Sequence, residues 1–170
     1  DAGVPVWVTR IESVDDALAS LSRMFTDALG WPVPEWLEQA ELAWQAPAEL
    51  DGPRVAAVIW RNPWMVVGRN TFSGDVLERL GCVNAFADAD SRYPTVEDGT
   101  LDALGLDVVL LPSEPYRFTD GDGPDAFSRT PTALFDGRLL TWYGPTLLRA
   151  RRELVAAIAT AIGTADRPSD

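Results

Sequence analysis

Residues 55–86 read VAAVIWRNPWMVVGRNTFSGDVLERLGCVNAF. Val55–Trp60 is a short, β-rich apolar run. Asn70 or Thr71 caps a helix expected over Phe72–Leu80, ahead of a second run at Cys82–Phe86. Short run, helix, short run is the pattern of a βαβ unit, whose helical crossover joins parallel strands. The alternation continues downstream. Val96–Leu104 reads as a helix opened by the capping box Thr95-Val96-Glu97-Asp98, Asp107–Leu111 and Arg138–Trp142 read as strands, and a last helix follows Pro145 to about Ile162. The expectation is an α/β chain with a mostly parallel sheet of about four or five strands.

Upstream the pattern differs. Val4–Val8 is a short β-rich run, and Ser13-Val14-Asp15-Asp16 resembles a capping box. Val14, Leu18, Leu21, Phe25 and Leu29 then recur at helical spacing until Gly30 and Pro32 close the pattern, giving a helix roughly 25 Å long. A second helix begins near Pro34 and carries Trp36, Leu37, Ala40 and Trp44 on one face before Pro47; a linker runs to Pro53. The strand at Val4–Val8 has no evident partner in this chain.

At 170 residues, with 46% hydrophobic and 24% charged residues, the chain matches one globular domain with a real core. Twenty-six Asp and Glu against fourteen Lys and Arg leave a formal net charge of −12, which repels phosphate backbones and anionic lipid and makes nucleic acid a poor partner. Histidine is absent, which removes the usual general base near neutrality, the imidazole metal ligand and any Ser-His or Cys-His pair. Cys82 is the only cysteine, so an internal disulfide and a thiolate metal cluster are excluded, and burial in packing is its expected role. No apolar run approaches the roughly 20 residues that cross a bilayer. Asp1-Ala2-Gly3 carries neither an initiator Met nor a signal, so a targeting segment is expected to be absent or removed.

Gly68-Arg69-Asn70-Thr71-Phe72-Ser73-Gly74 lacks the Gly-Lys-Ser/Thr of a phosphate loop, leaving a helix N-terminus and a glycine that permits close backbone approach. Asp120-Gly121-Asp122-Gly123-Pro124-Asp125 breaks the calcium-loop spacing with its proline and reads as a solvated loop. More informative is where the rings fall. Trp60-Arg61-Asn62-Pro63-Trp64, Tyr93-Pro94, Tyr116-Arg117-Phe118 and Trp142-Tyr143-Gly144-Pro145 each follow an expected strand, and the carboxyl ends of parallel strands share one edge, where ligands bind. These rings suit a bulky, partly apolar ligand, with Arg61 or Arg117 meeting a carboxylate or phosphate on it.

Val66-Val67-Gly68-Arg69-Asn70-Thr71-Phe72, Asp75-Val76-Leu77-Glu78-Arg79-Leu80-Gly81 with Asn84, Tyr93-Pro94-Thr95-Val96 and Leu106-Asp107-Val108-Val109-Leu110-Leu111 occur in one order over roughly residues 55–162. In this they resemble the C-terminal lobe of the helical-backbone, or class III, substrate-binding proteins of ABC importers for cobalamin, iron siderophores and haem. The resemblance implies a Rossmann-like three-layer lobe, with Ser13–Leu29 as the rigid helix bridging two lobes and Val4–Val8 as the last strand of an N-terminal lobe lying outside this chain. The implied division is 1–10 for that strand, 11–30 for the bridging helix, 31–54 for the second helix and linker, and 55–170 for the C-terminal lobe. It also implies a non-catalytic solute receptor outside the cytoplasm, capturing a cobalamin-like, haem or ferric-chelate ligand without covalent attachment. Missing histidine makes capture of an organic chelate more natural than direct metal ligation.

The expected ligand-binding residues are Trp60, Arg61, Trp64, Gly68, Asn70, Tyr93, Tyr116, Arg117, Trp142 and Tyr143, and the resemblance assigns Glu78 to docking on an ABC permease. The different-class alternative is a cytoplasmic enzyme or regulator of cofactor metabolism built on the same lobe. A third expectation is self-association through surface left uncovered by an absent lobe.

Overall fold

The computed structural model describes residues 3–4 and 6–165. Six strands form one sheet: β1 (Arg54–Trp60), β2 (Trp64–Val66), β3 (Val83–Asn84), β4 (Thr95–Val96), β5 (Val108–Pro112) and β6 (Thr132–Phe135). The order is β4-β2-β1-β5-β6, with β3 also paired to β1. β1 runs parallel to β3 and β5, and β5 parallel to β6; β2 is antiparallel to both β1 and β4. The helices are α1 (Val14–Arg23), α2 (Glu35–Trp44), α3 (Phe72–Leu80), α4 (Thr100–Ala103), α5 (Arg138–Thr141) and α6 (Leu147–Ala165). The mixed α/β architecture and largely parallel sheet agree with expectation.

β1 and β5 are apolar throughout, as parallel strands covered on both faces must be. Val55, Ala57, Val108 and Leu110 point into a core built with α1, α2, α3 and α6, whereas Ala56, Val58, Val109 and Leu111 point into a second core with Trp64, Leu101 and Phe118. Trp64 stacks on Phe118 at 6.2 Å between ring centroids and meets Phe127 edge-on at 5.7 Å.

Ser13 caps α1, its Oγ accepting from Asp16 N–H at 3.0 Å, and Asp16 reaches back to Glu12 N–H at 3.1 Å, one residue beyond a standard capping box. The Val14 N–H instead donates to Asp75 on α3 at 2.7 Å, and Arg79 ties Asp75 to Asp15. Val14, Ala17 and Leu18 therefore belong to the main core. The last turns, Met24–Ala28, widen to a π-helix with no buried residue, and the chain leaves through Gly30 at φ 64°.

Several expected elements come out differently. Arg138–Trp142 is not a strand: Arg138–Thr141 is helix α5, and the strand role falls to Thr132–Phe135. Periodicity cannot separate helix from strand in so short an apolar run; Gly137 at the helix start, accepting from Thr141 Oγ1 at 2.9 Å, decides it locally. Cys82–Phe86 shrinks to Val83–Asn84 because the Asn84 side chain bonds Val67 O at 3.0 Å and Phe86 N–H at 3.1 Å, turning the chain out of the ladder. Thr95 and Val96 do not open a helix; they pair with β2, and α4 starts only after Gly99 at φ 76°. The strand expected at Val4–Val8 is also absent: its described residues Val4, Val6, Trp7 and Val8 lie outside any strand and are exposed. Pro5 lies outside the described residues.

Trp64 and Trp142 should respond oppositely to truncation. Trp64 is 5% exposed and Trp142 55%. Trp64→Ala is expected to cost ~3–5 kcal/mol in urea unfolding, and Trp142→Ala under ~1 kcal/mol.

Candidate functional site

Three of the expected aromatic residues share a cavity, although the turn that carries two of them follows helix α5 rather than a strand. Tyr93, Trp142 and Tyr143 line a cavity of about 520 Å³, together with Ile59, Phe72 and Pro115. Ile59 lies near the carboxyl end of β1, Pro115 just past β5, and Phe72 in the first turn of α3, so the cavity opens at the carboxyl edge of the parallel strands. Phe72 supports Tyr143 edge-on at 5.6 Å. Ser73 Oγ donates to Leu140 O at 2.9 Å, pinning α5, and hence the Trp142-Tyr143 turn, against α3.

Two glycines allow the walls to close up. A Cβ on Gly68 would overlap the Ser91 carbonyl oxygen and lie 2.9 Å from Pro94 Cδ; without one, Gly68 N–H donates to Arg92 O at 2.8 Å. Gly68 thus admits the chain's own Ser91–Pro94 loop, which carries Tyr93. A Cβ on Gly137 would come within 2.7 Å of Glu114 backbone N, so its absence lets the start of α5 meet the loop after β5.

The remaining expected residues are distributed elsewhere. Trp60 and Tyr116 pack edge-on at 5.4 Å beside the cavity without lining it. Arg61 is not free for a ligand anion: it pairs with Asp122 and binds Asp125 through two bonds of 2.8 Å, and it sits over the Trp64 ring. Trp64 is buried in the second core. Arg117 is exposed and lines neither this cavity nor the neighbouring one. Gly68, Asn70 and Glu78 border that second cavity, of about 590 Å³, on the α3 flank. Its polar side chains are largely engaged, Asp75 with Val14 N–H and Arg79, and Arg69 with Asp90 O at 2.7 Å. Cys82, also on its border, is buried, and burial pushes its thiol up to about 12.

Sequence reasoning did not single out Ile11, Phe72, Arg92 or Glu114, all of which line the aromatic cavity. Arg92 directly precedes Tyr93-Pro94, and that adjacency was the available signal.

The Arg61 cluster gives a pH prediction. The Tyr116 hydroxyl, donating at 2.5 Å, and the Arg61 guanidinium hold Asp122 below the usual carboxylate range, while Arg61 lowers Asp125 to about 2. Folded-state values depressed below 3.8 mean that this stabilisation is complete above about pH 4 and is lost as pH falls toward about 2. Thermal melts should therefore show wild type losing stability more steeply than Asp125→Asn over that interval, with the two profiles parallel between pH 5 and 7.

No protein-family model and no curated protein matches the chain. Solved structures do. A periplasmic heme-binding protein from Pseudomonas aeruginosa is 26% identical, with a TM-score of 0.66 over 99% of this chain and 67% of its own. The periplasmic vitamin B12-binding protein BtuF of Vibrio cholerae is 14% identical, at TM-score 0.69 over 94% and 66%. A possible iron-binding, periplasmic solute-binding protein from Staphylococcus epidermidis is 17% identical, at 0.69 over 90% and 65%. This chain spans about two thirds of the length of these structures. It has the α/β fold found in periplasmic binding proteins for vitamin B12, heme and iron.

Proposed function

We propose that this chain supplies one wall of the ligand site in the solute-binding component of an ABC importer, working outside the cytoplasm. The ligand is a cobalamin-like, haem or ferric-siderophore-like molecule held without catalysis between two lobes. In this reading residues 11–30 bridge the lobes, 1–10 belong to the other lobe, 31–54 link, and 55–170 form the ligand-binding lobe. One observation carries the reading: aromatic side chains line a cavity of about 520 Å³ at the carboxyl edge of the sheet, in a fold shared with periplasmic binding proteins for ligands of this kind. Such a wall offers dispersion and stacking to a large flat ligand while leaving one side open.

Tyr93, Trp142 and Tyr143 are the proposed contact residues, with Trp60 and Tyr116 buttressing them from the side. Glu78, exposed on α3, is the proposed permease contact. Among the described residues no helix is long and apolar enough to cross a membrane.

The test is titration of the protein encoded by the whole gene with cobalamin, haem and ferric chelates, read by tryptophan fluorescence. Saturable quenching by one of them at micromolar concentration or below is expected, with Trp142→Ala weakening it roughly tenfold. Absence of a response to all three ends the proposal. Glu78→Lys should leave that affinity unchanged while reducing uptake by cells carrying the cognate permease.

A further inference from the structure

Resting on the ligand-site reading above, we propose that Arg92 selects ligands bearing a free carboxylate. Among the described residues, Arg92 is the one cation lining the aromatic cavity. The arginines that sequence reasoning put forward are elsewhere: Arg61 is held by two aspartates, and Arg117 does not line the cavity.

Arg92 is only partly neutralised. Its Nη1 lies 3.3 Å from Glu12 Oε1, an oxygen that also accepts from Arg10 Nε at 3.2 Å and Arg10 Nη2 at 3.0 Å. Arg92 thus makes the longest of three contacts to an oxygen that it shares with a second guanidinium. The Arg92 side chain is 45% exposed, leaving donors for a planar, two-oxygen acceptor, the geometry that guanidinium recognises best.

The cavity is also polarised. Arg92 arrives from the β4 side of β1, whereas Glu114, which follows β5, arrives from the other side. Glu114 Oε1 is buried and accepts no hydrogen bond among the described residues. A ligand carboxylate finds its guanidinium partner on the Arg92 side, opposite Glu114, which orients the ligand as well as selecting its class.

The loop backbone that carries Arg92 is placed before a ligand arrives. Arg92 O accepts from Gly68 N–H at 2.8 Å, Tyr93 N–H bonds Ser91 Oγ at 3.2 Å, and Pro94 O accepts from Val66 N–H at 3.0 Å, so the backbone on both sides of Arg92 is tied down. Little loop ordering then remains to be lost on binding.

Haem and haem dimethyl ester present the same ring with free or blocked carboxylates, and cobalamin offers amides in their place. Titrations of the protein encoded by the whole gene should give haem roughly tenfold tighter binding than its ester, a preference that weakens with added salt. Arg92→Gln should abolish the preference by weakening haem alone, and Arg92→Lys should restore part of it; circular dichroism of each variant checks the fold. Equal affinity for acid and ester, a preference that survives in Arg92→Gln, or binding of cobalamin alone overturns the Arg92 assignment and leaves the cavity as a ligand site. Binding of none of the three overturns the Arg92 proposal, and a lack of response to ferric chelates as well overturns the ligand-site reading with it.

Discussion

Val55 to Val58 have no exposed surface, and their side chains alternate between two hydrophobic clusters on opposite faces of the sheet. Backbone groups so placed have no water to bond, so β1 must find partners along both edges, and it does so in β5, β3 and β2. This double burial is the constraint from which the rest follows. It demands helices α1, α2, α3 and α6 on one face. On the other face α4 is a single turn, and a packed layer of Trp64, Phe118 and Phe127 completes the cover. Trp64 is consequently part of the core, although its place in the sequence pattern grouped it with the cavity's rings.

Where β1 ends, the same arrangement produces the candidate site. The loops after β5, before β4 and after α5 meet around Ile59, at the edge where a parallel sheet stops supplying its own cover. Close approach of backbone to backbone at Gly68 and Gly137 draws two of these loops inward, and the Ser73–Leu140 bond fixes the third. Electrostatics divides the rim. Arg61 is absorbed by Asp122 and Asp125 to hold the Tyr116 loop, and Arg92 keeps unspent hydrogen-bonding capacity beside Tyr93.

The legible elements are those with long or strongly marked patterns. α3 was readable from Thr71 to Gly81 because a side-chain cap, amphipathic spacing and a glycine at φ 93° all agree; β1, β5, α2 and the core of α6 were readable for comparable reasons. The unreadable ones are short. β2 and β4 have three and two residues, and only their mutual pairing makes them strands. Thr95 looks like a helix cap until that pairing claims it, and Leu139-Leu140 fits either periodicity.

For the site, sequence alone determined that rings cluster in a few short loop segments, that histidine chemistry is absent, and that the chain is acidic with few cations to place near a ligand. Tertiary structure decided which rings share a cavity and which arginine keeps its charge available. Both depend on contacts between residues distant in the chain: Trp64 with Phe118, Arg61 with Asp125, Gly68 with Arg92. Local propensity carries no record of such pairings, because burial and ion pairing are properties of the folded surroundings rather than of the residues themselves.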